Sequence, residues 1–320
     1  MISVAKIAKH YGGTTAVDDV SFDVQPGVVT GFLGPNGAGK TTTMRMILGL
    51  DRPTSGVATI NNRSYADVPA PMREVGALLD AKAIQTGRTA RDHLRWLNRA
   101  GNLPSGRVTE VLKMVELSDV ADRRVAGYSL GMFQRLGIAA ALLGDPETLI
   151  LDEPSNGLDP AGMRWIRDFM KDMAAQGRTV FVSSHLMGEM QQSADQVIVI
   201  NRGRLVADVD VEQLFTSAAQ VIVQSPRSDE LRVLLVDHGA KIHQTTSEAT
   251  VGNESQGMDP AHSALRVAGL GAPRIGELAA ANRIPLYELT PEQTDLETAF
   301  LALTEQETLG VEALHDRHER

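Results

Sequence analysis

Gly34-Pro35-Asn36-Gly37-Ala38-Gly39-Lys40-Thr41 is the stretch of this chain whose residue types and spacing point most directly to chemistry. Its glycines allow successive backbone N–H groups to curl around a phosphate without Cβ clashes. A helical pattern from Thr42 to Leu50 follows, and a helix N-terminus adds positive partial charge to that cradle. Lys40 can reach the β- and γ-phosphates of a nucleoside triphosphate, and the Thr41 hydroxyl can ligate Mg²⁺. The apolar run Val28 to Leu33 leads into the loop, which is the strand–loop–helix context that G-x-x-x-x-G-K-[ST] requires. The competing reading is a glycine-rich turn with no ligand.

A second candidate group is Asp152-Glu153, at the end of the apolar run Leu149-Ile150-Leu151. A buried strand ending in carboxylates delivers them to the carboxyl edge of an α/β sheet, where ligands bind. Asp152 suits magnesium held through water, and Glu153 suits orienting or deprotonating an attacking water. Taken alone, the pair also fits a helix N-cap, with Pro154 at the first helical position.

The elements that must position these groups follow from periodicity. Val20, Phe22 and Val24 alternate with polar neighbours, and Pro26-Gly27 makes a turn. Thr148 to Leu151 and Thr179 to Val182 are short apolar strands separated by helical patterns, which implies a mostly parallel α/β sheet. Residues 88 to 144 read as helical, broken at Pro104-Ser105-Gly106 and Asp145-Pro146, and form an insert in that core.

After residue 215 the pattern restarts. Val221 to Val223 is a strand and Asp229 to Val236 a helix; a second strand lies around Lys241 and Ile242. His243 to His262 reads as a polar loop. Leu265 to Val267 is a strand, Ile275 to Ala281 a helix and Ile284 to Leu289 a strand. That order is βαββαβ, the ferredoxin-like arrangement. A last helix is expected from Pro291 to Leu303, followed by a charged tail. The expected division is residues 1–215, with a helical insert at about 81–147, then 216–305 as a C-terminal α+β domain and 306–320 as a tail.

Composition narrows the function classes. The 320 residues include no cysteine, which excludes disulfides, cysteine-ligated zinc and thiol catalysis. The formal charge of −9 argues against a general nucleic-acid binder. The acidity is uneven: residues 1–215 hold 23 Lys and Arg against 24 Asp and Glu, while 216–320 hold 8 against 16. Two units of different character are expected. No apolar run approaches the roughly 18 residues a membrane helix needs, so a membrane span would come from another chain.

Four further motifs, in fixed order, point to a family. Tyr11 lies in His10-Tyr11-Gly12 ahead of the first strands. Tyr128-Ser129-Leu130-Gly131-Met132-Phe133-Gln134-Arg135 lies just before the Asp152 strand. Ser155-Asn156-Gly157-Leu158-Asp159 follows Glu153, and His185 follows the next strand. With the phosphate loop, this set resembles the ATP-binding subunit of an ATP-binding cassette (ABC) transporter over residues 1 to about 212.

The resemblance implies a P-loop NTPase core with a helical subdomain and implies ATP and Mg²⁺ as cofactors. ATP contacts would come from Gly34, Pro35, Asn36, Gly37, Ala38, Gly39, Lys40, Thr41 and Thr42, with Tyr11 stacking on adenine. Ser129 and Gly131 of the signature and Asp159 complete the set. Lys40, Glu153 and His185 would be catalytic, and Thr41, Asp152 and Asp80 would serve the metal. The implied partners are a second copy, head to tail, and a separate integral membrane permease at the cytoplasmic face of the membrane. No nucleic-acid partner is expected.

The chain departs from the family pattern in two places. Leu130 and Met132 replace a glycine and a glutamine of the commonest signature. After the strand around Val75, the family's glutamine falls on Asp80 in this register; Gln85 is an alternative, and a solvated loop role for Asp80 is another. Arg88, Arg91, Arg95 and Arg99 share one helix face, which is either solvated or turned toward a membrane partner. His315, Asp316, His318 and Glu319 read as tail and not as a metal site.

The ending Ile284 to Thr290 followed by Asp295 to Leu301 resembles that of daunorubicin-resistance-type exporter ATPases. The expected function is an ATPase subunit that powers a permease exporting drugs, antibiotics or lipid-like compounds. A non-transport ABC ATPase and a non-hydrolysing regulatory module remain as alternatives.

Overall fold

A computed structural model describes residues 1–212, 220–244 and 264–292. The chain divides into two compact units, Met1–Val211 and Glu212–Arg320.

The first unit contains two sheets. β1 (Ile2–Tyr11), β2 (Thr14–Val24) and β4 (Ser55–Ile60) form an antiparallel sheet in the order β2-β1-β4. The second sheet takes β3 (Val29–Leu33), β5 (Val75–Leu78), β6 (Thr148–Asp152), β7 (Thr179–Ser184), β8 (Gln196–Asn201) and β9 (Arg204–Asp210). Their order is β5-β6-β7-β3-β8-β9, parallel except at β8–β9. Every residue of β3, β6 and β7 is buried, which is why these strands read as unbroken apolar runs. Phe22 of β2 meets Phe32 and Phe181 of the parallel sheet at ring-centroid distances of 5.5 and 5.6 Å, joining both sheets in one core.

The helices are α1 (Lys40–Ile47), α2 (Pro71–Glu74), α3 (Ala90–Ala100), α4 (Arg107–Met114), α5 (Leu130–Leu142), α6 (Pro160–Ala175) and α7 (Met187–Ser193). The helix after the phosphate loop starts at Lys40 and ends at Ile47, earlier at both ends than its apolar pattern indicated; Gly49 at φ +63° lies just past its end. α5 lies close on β5 because a Cβ at Gly76 would sit 2.2 Å from the Ala141 carbonyl oxygen and one at Gly137 would sit 2.6 Å from Leu78.

The arginine stripe resolves into separate roles. Thr89 caps α3, so Arg88 lies before the helix, where it stacks on Trp96 at 5.2 Å. Arg91 is paired with Asp122 at 2.8 Å, and Arg95 with Asp92 at 3.4 Å.

The second unit has β10 (Gln220–Gln224), α8 (Ser228–Asp237), β11 (Lys241–Gln244), β12 (Leu265–Ala268), α9 (Ala272–Ala281) and β13 (Glu288–Glu292). The sheet runs β11-β12-β10-β13, antiparallel throughout, so the βαββαβ sequence closes as a split arrangement. Val223, Leu231, Leu235, Val267 and Ile275 form its core.

Two boundaries differ from the sequence reading. The last strand is Glu288–Glu292 and not Ile284 to Leu289, because pairing with β10 begins at Gln224–Glu288 while Ile284 is buried in the core. Pro291 and Glu292 are therefore strand, not the start of a helix. His243 and Gln244 pair with β12, so the loop begins after them. The rest of that loop, the expected final helix beyond residue 292 and the tail with His315, Asp316, His318 and Glu319 lie outside the described residues. Among the described residues no helix is long and apolar enough to cross a membrane.

Candidate functional site

β6, β7 and β3 are parallel neighbours, so the loops leaving their carboxyl ends are neighbours too. The phosphate loop leaves β3, Asp152-Glu153 ends β6, and His185 follows β7. Strand order alone thus gathers three motifs that are far apart in sequence.

Lys40 is buried at 6% exposure. Its Nζ donates to the carbonyl of Gly34 at 2.6 Å and that of Pro35 at 3.3 Å, and lies 3.5 Å from Glu153 Oε1. Glu153 Oε2 is 2.8 Å from His185 Nδ1, so a cation and an imidazole hold the two oxygens of one carboxylate. The Thr41 hydroxyl donates to Asp152 Oδ2 at 2.6 Å. Thr41 and Asp152 together offer hard oxygen donors at the phosphate loop, which fits Mg²⁺ completed by water and phosphate oxygens.

Glu153 adopts φ +49°, the left-handed region that a residue with a Cβ occupies at a cost of about 1 kcal/mol or more. Its N–H is held by Ser183, through Oγ at 3.0 Å and the carbonyl at 3.2 Å. The buried Ser183 hydroxyl in turn donates to Asp152 Oδ1. Ser183 therefore fixes both carboxylate-bearing residues. Sequence reasoning gave it no role, although it lies two residues before His185.

Tyr11 is 48% exposed. Its hydroxyl donates to Asp51 Oδ2 at 3.1 Å, and Lys9 Nζ sits 5.0 Å over its ring. Partial burial and the Asp51 bond raise the phenol pKa, while the bond from Arg45 lowers that of Asp51. The ring is thereby anchored at its hydroxyl, with Lys9 over one of its faces.

Ser129 is the N-cap of α5, accepting the Met132 N–H at 3.3 Å. Among the described residues, neither Ser129 nor Gly131 is hydrogen-bonded to the phosphate loop of its own chain. Leu130 is 39% exposed, and a Cβ at Gly157 would lie 2.0 Å from its Cδ2. Gly157 also has φ +74°. The bulkier residue in the signature is thus matched by a glycine in the following motif. Asp159 caps α6, with Oδ1 accepting the Gly162 N–H at 2.8 Å.

Asp80 follows β5 by two residues and so lies beside the Asp152–Glu153 edge. Its Oδ1 accepts the Lys82 N–H at 2.8 Å, which closes a local turn. Among the described residues, no hydrogen bond joins that carboxylate to Thr41 or Asp152. Gln85 is exposed in the same loop.

Comparison with known proteins bears on the family. A family model described as ABC transporter matches residues 17–156, and one described as a domain of unknown function matches residues 219–297. The chain is 33% identical to the bacitracin transport ATP-binding protein BcrA of Bacillus licheniformis, over 97% of this chain and 99% of that protein. It is 34% identical to an uncharacterized ABC transporter ATP-binding protein, YhcH, of Bacillus subtilis, over 95% of this chain and 96% of that one. A solved structure of an ATP-binding subunit of an ABC transporter superposes with a TM-score of 0.61 at 27% identity, covering 67% of this chain and 91% of the other.

Proposed function

The chain belongs to the ABC transporter family, as an ATP-binding subunit whose ATPase activity is coupled to transport, and from that premise we propose that it acts as a head-to-tail homodimer that drives a separate export permease from the cytoplasmic face of the membrane. The observation that carries the catalytic reading is the convergence of Lys40 and His185 on Glu153 at the mouth of the phosphate loop.

ATP enters with its phosphates in the loop and its adenine on Tyr11. Lys40 faces the β- and γ-phosphates. The attacking water forms a bond to the γ-phosphorus, its proton passes to the Glu153 carboxylate, and the bond from the γ-phosphorus to the ADP oxygen breaks. His185 holds Glu153 in line. Thr41 and Asp152 would hold Mg²⁺, which neutralises phosphate charge when bound. Ser129 and Gly131, at the start of α5, supply the remaining γ-phosphate contacts to the nucleotide of the second copy.

The transported compound is proposed to be an antibiotic or a drug- or lipid-like molecule. Similarity to a bacitracin transport protein across nearly the whole chain, the C-terminal unit included, supports the antibiotic class.

The test is Glu153→Gln, which keeps the shape and removes the base. ATP binding should persist, turnover should fall by roughly 10²-fold or more, and an ATP-bound dimer should accumulate in size exclusion. Wild-type hydrolysis would remove Glu153 from this role. Failure to co-purify with any membrane subunit would overturn the permease partnership.

A further inference from the structure

Gln134 lies on the second turn of α5 and is buried at 6% exposure. Its Nε2 donates to the Glu153 carbonyl at 3.5 Å and to the Asn156 carbonyl at 3.4 Å. These carbonyls bracket one turn, closed by the Asn156 N–H on the Glu153 carbonyl at 3.2 Å. That turn carries Glu153 at φ +49°. The other end of the Gln134 amide, Oε1, is buried without a partner.

A buried carbonyl oxygen with no donor is destabilising, and an apolar side chain of similar length would pack there without that penalty. Gln134 breaks a packing rule at the one place where it touches the turn that aims Glu153. A buried unsatisfied group calls for an explanation, and this one sits against the turn that carries Glu153.

We propose that Gln134 is a positioning residue for Glu153, fastening the signature helix to the turn that presents the general base. The inference rests on the proposed role of Glu153. Ser183 holds the Glu153 N–H from the β7 side, and Gln134 holds its carbonyl from the α5 side. The left-handed backbone is thereby gripped at both of its peptide groups. Because α5 also begins with Ser129, displacement of the signature end reaches the turn that carries the base through the Gln134 amide.

The experiment measures steady-state hydrolysis, ATP KM and Tm for full-length Gln134→Met, Glu153→Gln and the double variant. Gln134→Met should lower kcat by about tenfold while ATP KM stays within about twofold, because the base is misplaced and nucleotide contacts are intact. Its Tm should change little, because losing the two Nε2 bonds and removing the unpartnered oxygen oppose each other. Adding Gln134→Met to Glu153→Gln should lower turnover no further, because both changes act through one group. A Gln134→Met protein with wild-type kcat overturns the proposal, as does a fall in kcat accompanied by a fall in Tm. An additional loss in the double variant also overturns it. If Glu153→Gln itself turns over at the wild-type rate, the base assignment fails first; a dead Glu153→Gln beside a fully active Gln134→Met sinks the Gln134 proposal alone.

Discussion

The nucleotide machinery has two ends that are built differently. At the phosphate-loop end, charged and hydroxyl groups are locked to one another: Lys40 to Gly34 and Glu153, Glu153 to His185, Thr41 and Ser183 to Asp152. At the signature end, Ser129 caps its own helix and Leu130 rests on Gly157, and the motif's charged residue, Arg135, pairs with Glu116 away from that helix start. The first end is preorganised for a polyanion within one chain. The second offers a helix start and a hydroxyl, which complete a site only when another chain supplies the phosphate. A preorganised half should survive as a binding site by itself; the signature half should matter only for turnover.

The largest expected effect falls on the preorganised half. Lys40→Ala removes a buried cation whose charge-assisted contacts to phosphate are worth roughly ten- to a hundredfold in affinity. ATP affinity measured by calorimetry should fall by that amount. Binding at wild-type strength would mean the two halves are not as different as their geometry indicates.

The next effect tests the signature half. Ser129→Asp preserves the N-cap, so Tm should change little, by the equivalent of about 0.5 kcal/mol or less. The added carboxylate faces a γ-phosphate brought by the second copy, so hydrolysis and ATP-driven dimerisation should both be lost. ATP affinity of the single chain should stay as it is. If that affinity collapses as well, Ser129 serves its own chain's nucleotide, and the division between the halves is wrong.

The smallest effect is expected at Asp80. Its carboxylate accepts the Lys82 N–H, so Asp80→Ala should loosen a loop and leave the dependence of hydrolysis on Mg²⁺ concentration within about twofold of wild type. A marked shift of that curve for Asp80→Ala, with Gln85→Ala silent, would place the carboxylate at the metal and extend the preorganised half onto β5.

Legibility in the sequence followed the reach of each interaction. The phosphate loop is local: strand, glycines and helix start lie in one stretch, so eight residues carried both its conformation and its chemistry. Asp80 was harder. It lies just after β5, where its Oδ1 accepts a backbone N–H two residues on, a bond that the family register did not show. In the second unit the βαββαβ order was visible, whereas the last strand was displaced because burial of Ile284 and pairing with β10 outweighed local apolarity.

The sequence by itself determined the alternation of strand and helix, the identity of the nucleotide motifs and their order, because each depends on short-range periodicity or on a few adjacent residues. Tertiary structure alone decided which side chains grip Glu153. Ser183 and Gln134 reach it from β7 and α5, 30 and 19 residues away; Ser183 lies in no motif, and the signature that contains Gln134 does not tell that its side chain meets Glu153. Strand order β6-β7-β3 and the glycine contact of α5 on β5 bring them there, and strand order and packing are set by the burial of the whole core.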